Sequence, residues 1–123
     1  MTDQLNVLVV DDEDSLRTLL KAELELHGFI VDEADGGTIA MKALKGKSYD
    51  LVLLDIRMPD MDGLEVLRNI RAKNLAKKVV MLTGVDEMKI ARESLELGAN
   101  DFLTKPYDFT ALMACISRVL RDE

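Results

Sequence analysis

The stretch Tyr49–Gly63, YDLVLLDIRMPDMDG, decides the fold. Its apolar run, Leu51–Leu54, ends at the carboxylate of Asp55, and the Met58-Pro59 pair that follows favours a loop. A short run without polar side chains is typical of a strand buried on both faces, as in the centre of a parallel sheet. Ligands bind at the carboxyl edge of such sheets, so Asp55 is a candidate functional residue. The alternative is that Asp55 only starts a turn.

Four further apolar segments have strand character and alternate with amphipathic helical patterns. The predicted strands besides the one ending at Asp55 are Leu5–Val10, Phe29–Ala34, Val79–Leu82 and Asp101–Leu103. The residues predicted to face inward on the five helices are Leu16, Leu19, Leu20 and Leu24; Ile39, Ala40 and Leu44; Leu64, Leu67 and Ile70; Met88, Ala91 and Leu95; and Leu112, Cys115, Ile116 and Val119. We expect Asp35 to cap the second helix and Asp108 to cap the fifth. This alternation predicts one α/β domain over residues 1–123, a parallel sheet with helices on both faces.

Composition excludes several classes of function. The chain has 123 residues, a formal net charge of -7 and one cysteine. Its negative charge disfavours direct binding of nucleic acid or of an anionic membrane surface, because phosphate groups need a basic face. A single cysteine forms no intramolecular disulfide and no cysteine metal cluster. With no apolar run of membrane length, we expect a cytoplasmic protein.

Chemically active residues follow the ends of four predicted strands. Asp11 and Asp12 follow the first, Asp55 the third, Thr83 the fourth and Lys105 the fifth. Some acids of the run at 11–14 can serve a helix N-terminus, but that role accounts for only one or two of the four. Clustered carboxylates repel one another, and Mg²⁺, which prefers oxygen ligands, removes the repulsion. A carboxylate can also attack phosphorus, with a metal, a lysine and a hydroxyl on the phosphoryl oxygens.

Four motifs carry a resemblance to a known family. They are VVDDED at 9–14, LLDIRMPDMDG at 53–63, LTG at 82–84 and GANDFLTKPYD at 98–108. Together they resemble the receiver domain of two-component response regulators over essentially the whole chain. The resemblance implies a flavodoxin-like fold with strand order 2-1-3-4-5, an order for which a chemotaxis member of this family is a standard example.

The resemblance also implies a role for each site residue. Asp55 matches the phosphoacceptor, and Lys105 matches the phosphate-binding lysine. For the metal, Asp12 and Asp55 match the side-chain Mg²⁺ ligands, Asp11 the acid that holds the metal through water, and Arg57 the residue whose backbone carbonyl completes the metal shell. Thr83 matches the switch hydroxyl and Phe102 the switch aromatic. The Lys105-Pro106 peptide matches a bond that is usually cis in the family.

The partners follow from the same resemblance. A sensor histidine kinase or a histidine phosphotransfer protein would donate the phosphoryl group from a phosphohistidine. The domain would catalyse only its own phosphorylation and dephosphorylation, and so would not be a turnover enzyme. Signal output is expected through helix four, strand five and helix five to a protein or domain that the sequence does not identify.

Three alternatives are open at this point. An aspartate-nucleophile phosphatase also uses Mg²⁺, but its D-x-D-x-T pattern differs from DDEDS at 11–15. A flavin carrier of the same architecture needs a loop after the first strand that holds phosphate, and an acid run repels phosphate. The third is a receiver-like binding module that is never phosphorylated, although it would have no use for the acid cluster.

Overall fold

The computed structural model describes residues 4–122, in which strands and helices alternate. In chain order the elements are β1 (Asn6–Val10), α1 (Asp14–Leu26), β2 (Ile30–Ala34), α2 (Gly37–Gly46), β3 (Tyr49–Asp55), α3 (Gly63–Lys73), β4 (Ala76–Gly84), a short 3-10 helix (Val85–Glu87), α4 (Met88–Glu96), β5 (Asp101–Lys105) and α5 (Phe109–Arg121). In this part of the chain, every helix is too short or too polar to cross a membrane.

The strands form one parallel sheet in the order β2-β1-β3-β4-β5. This confirms the predicted α/β class and the flavodoxin-like strand order. β3 is central, with Leu54 opposite Val10 of β1 on one side and Met81 of β4 on the other. Parallel strands in register carry the residues that follow them to one edge of the sheet, so the order of the strands decides which side chains meet there.

Both faces of the sheet are covered, which explains the apolar runs. Leu8 and Val10 of β1 pack into a core shared with α2, α3 and α4. Val7 and Val9 face the opposite way, into a core shared with α1 and α5. All four are fully buried, and burial of such a side chain contributes roughly 1.5–3 kcal/mol. Cys115 is a buried member of the second core, as expected.

Three residues predicted to face inward are exposed instead. They are Leu19, Ile39 and Leu95, with exposed fractions of 56%, 45% and 41%. Each is the immediate neighbour of a buried residue in the same helix: Leu20, Ala40 and Ser94. Neighbours in a helix lie about 100° apart, so each of the three falls outside the strip that contacts the sheet. The prediction was wrong because it assumed buried faces wider than the sheet covers.

The N-terminus of α2 is capped from a distant loop rather than by Asp35. Asp35 is exposed, and Gly36 occupies the capping position. The carboxylate of Asp60, after β3, accepts hydrogen bonds from the backbone N–H groups of Gly37 at 3.1 Å and Thr38 at 2.9 Å. These hydrogen bonds, those from Thr38 foremost, lower the pKa of Asp60 to about 2. The predicted Asp35 cap was therefore wrong.

Other local predictions hold with shifted limits. β4 begins at Ala76 and β5 extends to Lys105, so both are longer than the apolar pattern indicated. Asp108 caps α5 as predicted, accepting a hydrogen bond from the backbone N–H of Ala111 at 2.7 Å. The Lys105-Pro106 peptide is cis, as the resemblance implied.

Candidate functional site

Three carboxylates meet at the carboxyl edge of the sheet. Asp11 and Asp12 follow β1, and Asp55 is the last residue of β3. One oxygen from each side chain lies within 4.8 Å of the other two. Asp11 is fully buried and Asp55 is 7% exposed, whereas Asp12 is open to solvent. The cluster exists because β1 and β3 are paired in register up to Val10 and Leu54, the residues directly before Asp11 and Asp55.

Lys105 places an ammonium group against two of these carboxylates. Its Nζ lies 3.1 Å from Oδ2 of Asp11 and 3.5 Å from Oδ2 of Asp55. Burial favours the neutral amine, but Asp55 and Asp11 outweigh that effect and raise the pKa of Lys105. One cation does not balance three carboxylates, so the cluster keeps a net negative charge that a further cation would neutralise.

The pKa of Asp55 reflects its burial first and the neighbouring charges second. Burial raises the pKa of Asp55 to about 6 from an ordinary value of 3.8; Lys105 opposes the rise, and Asp11 and Asp12 add to it. The donor set is all oxygen, which fits Mg²⁺. Asp11 already accepts a hydrogen bond from the backbone N–H of Glu13 on Oδ1, besides the Lys105 contact on Oδ2. Both its oxygens are engaged, which suits a residue set behind the metal rather than on it.

A close approach of backbone to backbone shapes the loop after Asp55. The N–H of Gly63 donates to the carbonyl oxygen of Ile56 at 2.7 Å. A Cβ atom on Gly63 would lie 2.3 Å from the carbonyl oxygen of Asp55, so only glycine fits there. Asp62 then caps α3 by accepting from the N–H of Glu65 at 2.9 Å. The loop is thereby held against the end of β3.

The predicted switch residues lie on the neighbouring strands. Asp55 is paired with Leu82 in β4, so Thr83 lies one residue beyond it toward the same edge. Thr83 is fully buried, and its hydroxyl donates to the carbonyl of Gly84 at 3.3 Å. Phe102, opposite Met81, is partly buried against the core that contains α4. Thr83 thus lies at the carboxylate edge, and Phe102 packs against the core to which Ala91 of α4 belongs.

Arg57 and Glu87 form an ion pair between the loops that follow β3 and β4. Arg57 Nε pairs with Oε2 of Glu87, and Oε1 of Glu87 accepts from the N–H of Gly84 at 2.9 Å. The sequence analysis assigned Arg57 a metal role through its carbonyl but did not predict an ion pair with Glu87. A signal was present, since a glutamate three residues after a capping position often accepts from the backbone N–H of that position.

A cleft of about 600 Å³ opens beside the carboxylates. It is lined by Asp12, Ile56, Arg57, Met58, Pro59, Asp62, Leu64 and Ile90. Asp12 and Arg57, both predicted to hold the metal, therefore border one solvent-open space. Leu64, predicted to be a core residue, is instead only partly buried at this cleft.

Tyr107 is a second residue that sequence reasoning missed. Within residues 4–122 its hydroxyl is buried and has no hydrogen-bond partner. Burial, followed by the carboxylates of Asp11, Asp55 and Glu13, raises the pKa of Tyr107. The hydroxyl therefore stays protonated beside the acidic cluster. Its sequence signal was its place in the motif GANDFLTKPYD at 98–108, two residues after Lys105.

Comparison with known proteins identifies the class. The response regulator receiver domain family matches residues 7–117. The receiver domain of NtrX from Brucella abortus has a TM-score of 0.87 at 31% identity, covering 95% of this chain and 99% of that one. Chemotaxis protein CheY4 of Vibrio cholerae has a TM-score of 0.88 at 28% identity, with 95% and 99% covered. The chain belongs to the response regulator receiver domain family, which confirms the resemblance in its sequence.

Relatives of this chain include full-length transcriptional regulators. PhoP of Bacillus subtilis, an alkaline phosphatase synthesis transcriptional regulatory protein, is 40% identical over 115 residues. The transcriptional regulatory protein ZraR of Escherichia coli strain K12 is 40% identical over 118 residues. The matches cover 94% and 96% of this chain, but only 48% and 27% of these relatives. The chain thus spans about half or about a quarter of their length.

Proposed function

We propose that Asp55 accepts a phosphoryl group from the phosphohistidine of a sensor histidine kinase or a histidine phosphotransfer protein, in a reaction that depends on Mg²⁺. The observation that carries this proposal is the cluster of Asp11, Asp12 and Asp55 with Lys105 at the carboxyl edge of the sheet. Membership of the receiver family supports the same reaction. The domain would catalyse only its own phosphorylation and dephosphorylation.

Each residue of the site has its own role in the phosphoryl transfer. A carboxylate oxygen of Asp55 forms the new bond to phosphorus, the P–N bond of the donor breaks, and the imidazole nitrogen keeps the electron pair. Lys105 neutralises charge on the phosphoryl oxygens, and the Thr83 hydroxyl donates to one of them. Asp12, Asp55 and the carbonyl of Arg57 would hold Mg²⁺, with Asp11 behind them, and the bound ion would neutralise further phosphoryl charge.

Output is proposed through the surface formed by α4, β5 and α5. The positions of Thr83 and Phe102 support this route, because Thr83 is paired with Thr104 of β5 and Phe102 packs against the core that contains Ala91 of α4. A phosphoryl group that draws Thr83 toward it favours the conformation in which these contacts are made, which is a shift between existing states. The receiving partner is a downstream protein or output domain, as in the transcriptional regulators that the chain matches.

The test is labelling with a small phosphodonor. Acetyl phosphate with Mg²⁺ should add one phosphoryl group to the wild-type chain, detected by intact mass. Asp55→Asn should abolish the addition, because it removes the nucleophile. Asp35→Asn is the matched control, since Asp35 also follows a strand but is exposed. Equal labelling of the Asp55→Asn variant would overturn the assignment.

A further inference from the structure

One buried carboxylate, that of Glu87, joins the two loops that border Asp55. Its Oε1 accepts from the backbone N–H of Gly84 at 2.9 Å, and its Oε2 pairs with Nε of Arg57. Glu87 is 6% exposed, whereas Arg57 is 71% exposed. A buried carboxylate is stable only while its partners hold it, so the state of Gly84 and Arg57 decides where Glu87 lies.

The two partners of Glu87 belong to segments that leave the sheet beside the phosphoacceptor. Arg57 lies two residues after Asp55 in the chain. Gly84 lies two residues after Leu82, which is paired with Asp55. A backbone N–H and a guanidinium group are both strong donors to phosphoryl oxygens, and charge-assisted bonds of this kind exceed neutral ones in strength.

We propose that Glu87 is an internal competitor for the phosphoryl group of Asp55. In the unphosphorylated chain its carboxylate occupies the Gly84 N–H and the Arg57 guanidinium. A phosphoryl group on Asp55 brings more negative charge to the same donors and displaces the carboxylate. Glu87 is thus a positioning residue that acts through Gly84 and Arg57, and the inference rests on the proposed phosphorylation of Asp55.

This competition would also act on the output surface. Glu87 ends the 3-10 helix and directly precedes Met88, the first residue of α4. Two residues near the start of α4 lie in the site and the core, since Ile90 lines the cleft and Ala91 is buried. Displacement of Glu87 therefore changes how α4 begins and couples the charge at Asp55 to that helix.

The experiment measures the affinity of the Mg²⁺-loaded chain for beryllofluoride, which imitates a phosphoryl group on an aspartate. Glu87→Gln should tighten the apparent Kd about fivefold, because it removes the charge that competes for Arg57. Glu87→Asp keeps the charge but is too short to reach both partners, and it should also tighten binding. Glu93→Gln is the matched control, since it makes the same change at an exposed position of α4 and should leave the Kd unchanged.

The NMR signal of the Gly84 amide provides a second readout. It would not move if Glu87 had only a structural role. The Gly84 N–H signal of the free protein should move upfield in Glu87→Gln, because its acceptor loses charge, and should stay in place in Glu93→Gln. Beryllofluoride should shift the same signal in the wild type. Thermal melting checks that each variant folds. If Glu87→Gln does not fold, the affinity of Glu87→Asp decides the question.

The outcomes separate the two proposals. Tighter binding by both Glu87 variants, with the control unchanged, supports the competition. Equal or weaker binding by both variants, in a wild type that accepts phosphoryl from acetyl phosphate, overturns the competition alone. A wild type that neither accepts phosphoryl nor binds beryllofluoride overturns the proposed function and the competition with it.

Discussion

The ammonium group of Lys105 lies 3.5 Å from a carboxylate oxygen of Asp55. These residues end β5 and β3, which are separated in the sheet by β4. The lysine also contacts Asp11, so one cation lies against the carboxylate that ends β3 and another that directly follows β1. That placement keeps a positive charge beside the oxygen that would attack phosphorus.

Replacing Lys105 with methionine should slow labelling of Asp55 about tenfold or more, because the variant loses the cation that stabilises phosphoryl charge. A time course of intact mass with acetyl phosphate measures the rate. Lys89→Met is the control, since Lys89 is exposed on α4. Unchanged labelling in Lys105→Met would contradict the role assigned to the lysine.

Millimolar Mg²⁺ should raise the melting temperature, because a cation that binds only the folded carboxylate cluster stabilises it by mass action. Asp12→Ala should abolish the rise by removing the exposed carboxylate of the cluster. Asp35→Ala, which removes an exposed acid outside the cluster, should retain it. Differential scanning calorimetry provides the measurement, and a Mg²⁺ response in Asp12→Ala equal to that of the wild type would refute the site.

Stability without metal should depend on the protonation of Asp55. Its pKa is raised from 3.8 to about 6, so the fold favours the protonated acid. The stabilisation is fully present below the unfolded pKa near 4 and is lost as pH rises through about 6. Relative to Asp55→Asn, the wild type should lose roughly 1–3 kcal/mol between pH 4 and 7. Denaturant unfolding in the presence of a chelator measures this loss, and a constant difference across the range would disprove it.

Asp60→Ala should destabilise the start of α2, because the N–H groups of Gly37 and Thr38 lose their acceptor. We expect a melting temperature lower by a few degrees and faster hydrogen exchange at Gly37 and Thr38. The pKa of Asp60 is lowered to about 2, so its contribution is present above about pH 4 and is lost as pH falls toward 2. Asp35→Ala should change neither property. If it behaves like Asp60→Ala, Asp35 has a capping role after all.

Thr83→Ala should leave labelling of Asp55 largely intact, because the nucleophile and Lys105 are untouched. It should reduce the chemical-shift changes that phosphorylation produces on α4, since the variant lacks the hydroxyl that is drawn toward the phosphoryl group. Thr83→Ser, which keeps the hydroxyl, is the matched control. Full-sized shift changes in Thr83→Ala would show that another group transmits the signal.

Local patterns were enough to predict the sheet and much of the site. The apolar run Leu51–Leu54 identified a strand buried on both faces, and the residue after it, Asp55, lies at the carboxyl edge as expected. The same reasoning brought Asp11, Asp12 and Lys105 to that edge, because parallel strands end together. The metal and the phosphoryl group stay predictions.

Contacts between distant segments were decided only by the tertiary structure. Arg57 and Glu87 lie 30 positions apart in the chain, and their ion pair requires the loops after β3 and β4 to lie side by side. Asp60 reaches α2 from 22 to 23 positions away, which is why Asp35 was the wrong choice of cap. Leu19 shows the same dependence on tertiary structure. Its spacing from the other apolar residues of α1 fits a buried face, but the sheet covers only the strip beside it, so Leu19 is exposed. Sequence periodicity records which residues can be buried on a helix or strand, whereas the width of the covering layer and the pairing of loops depend on how the elements pack together.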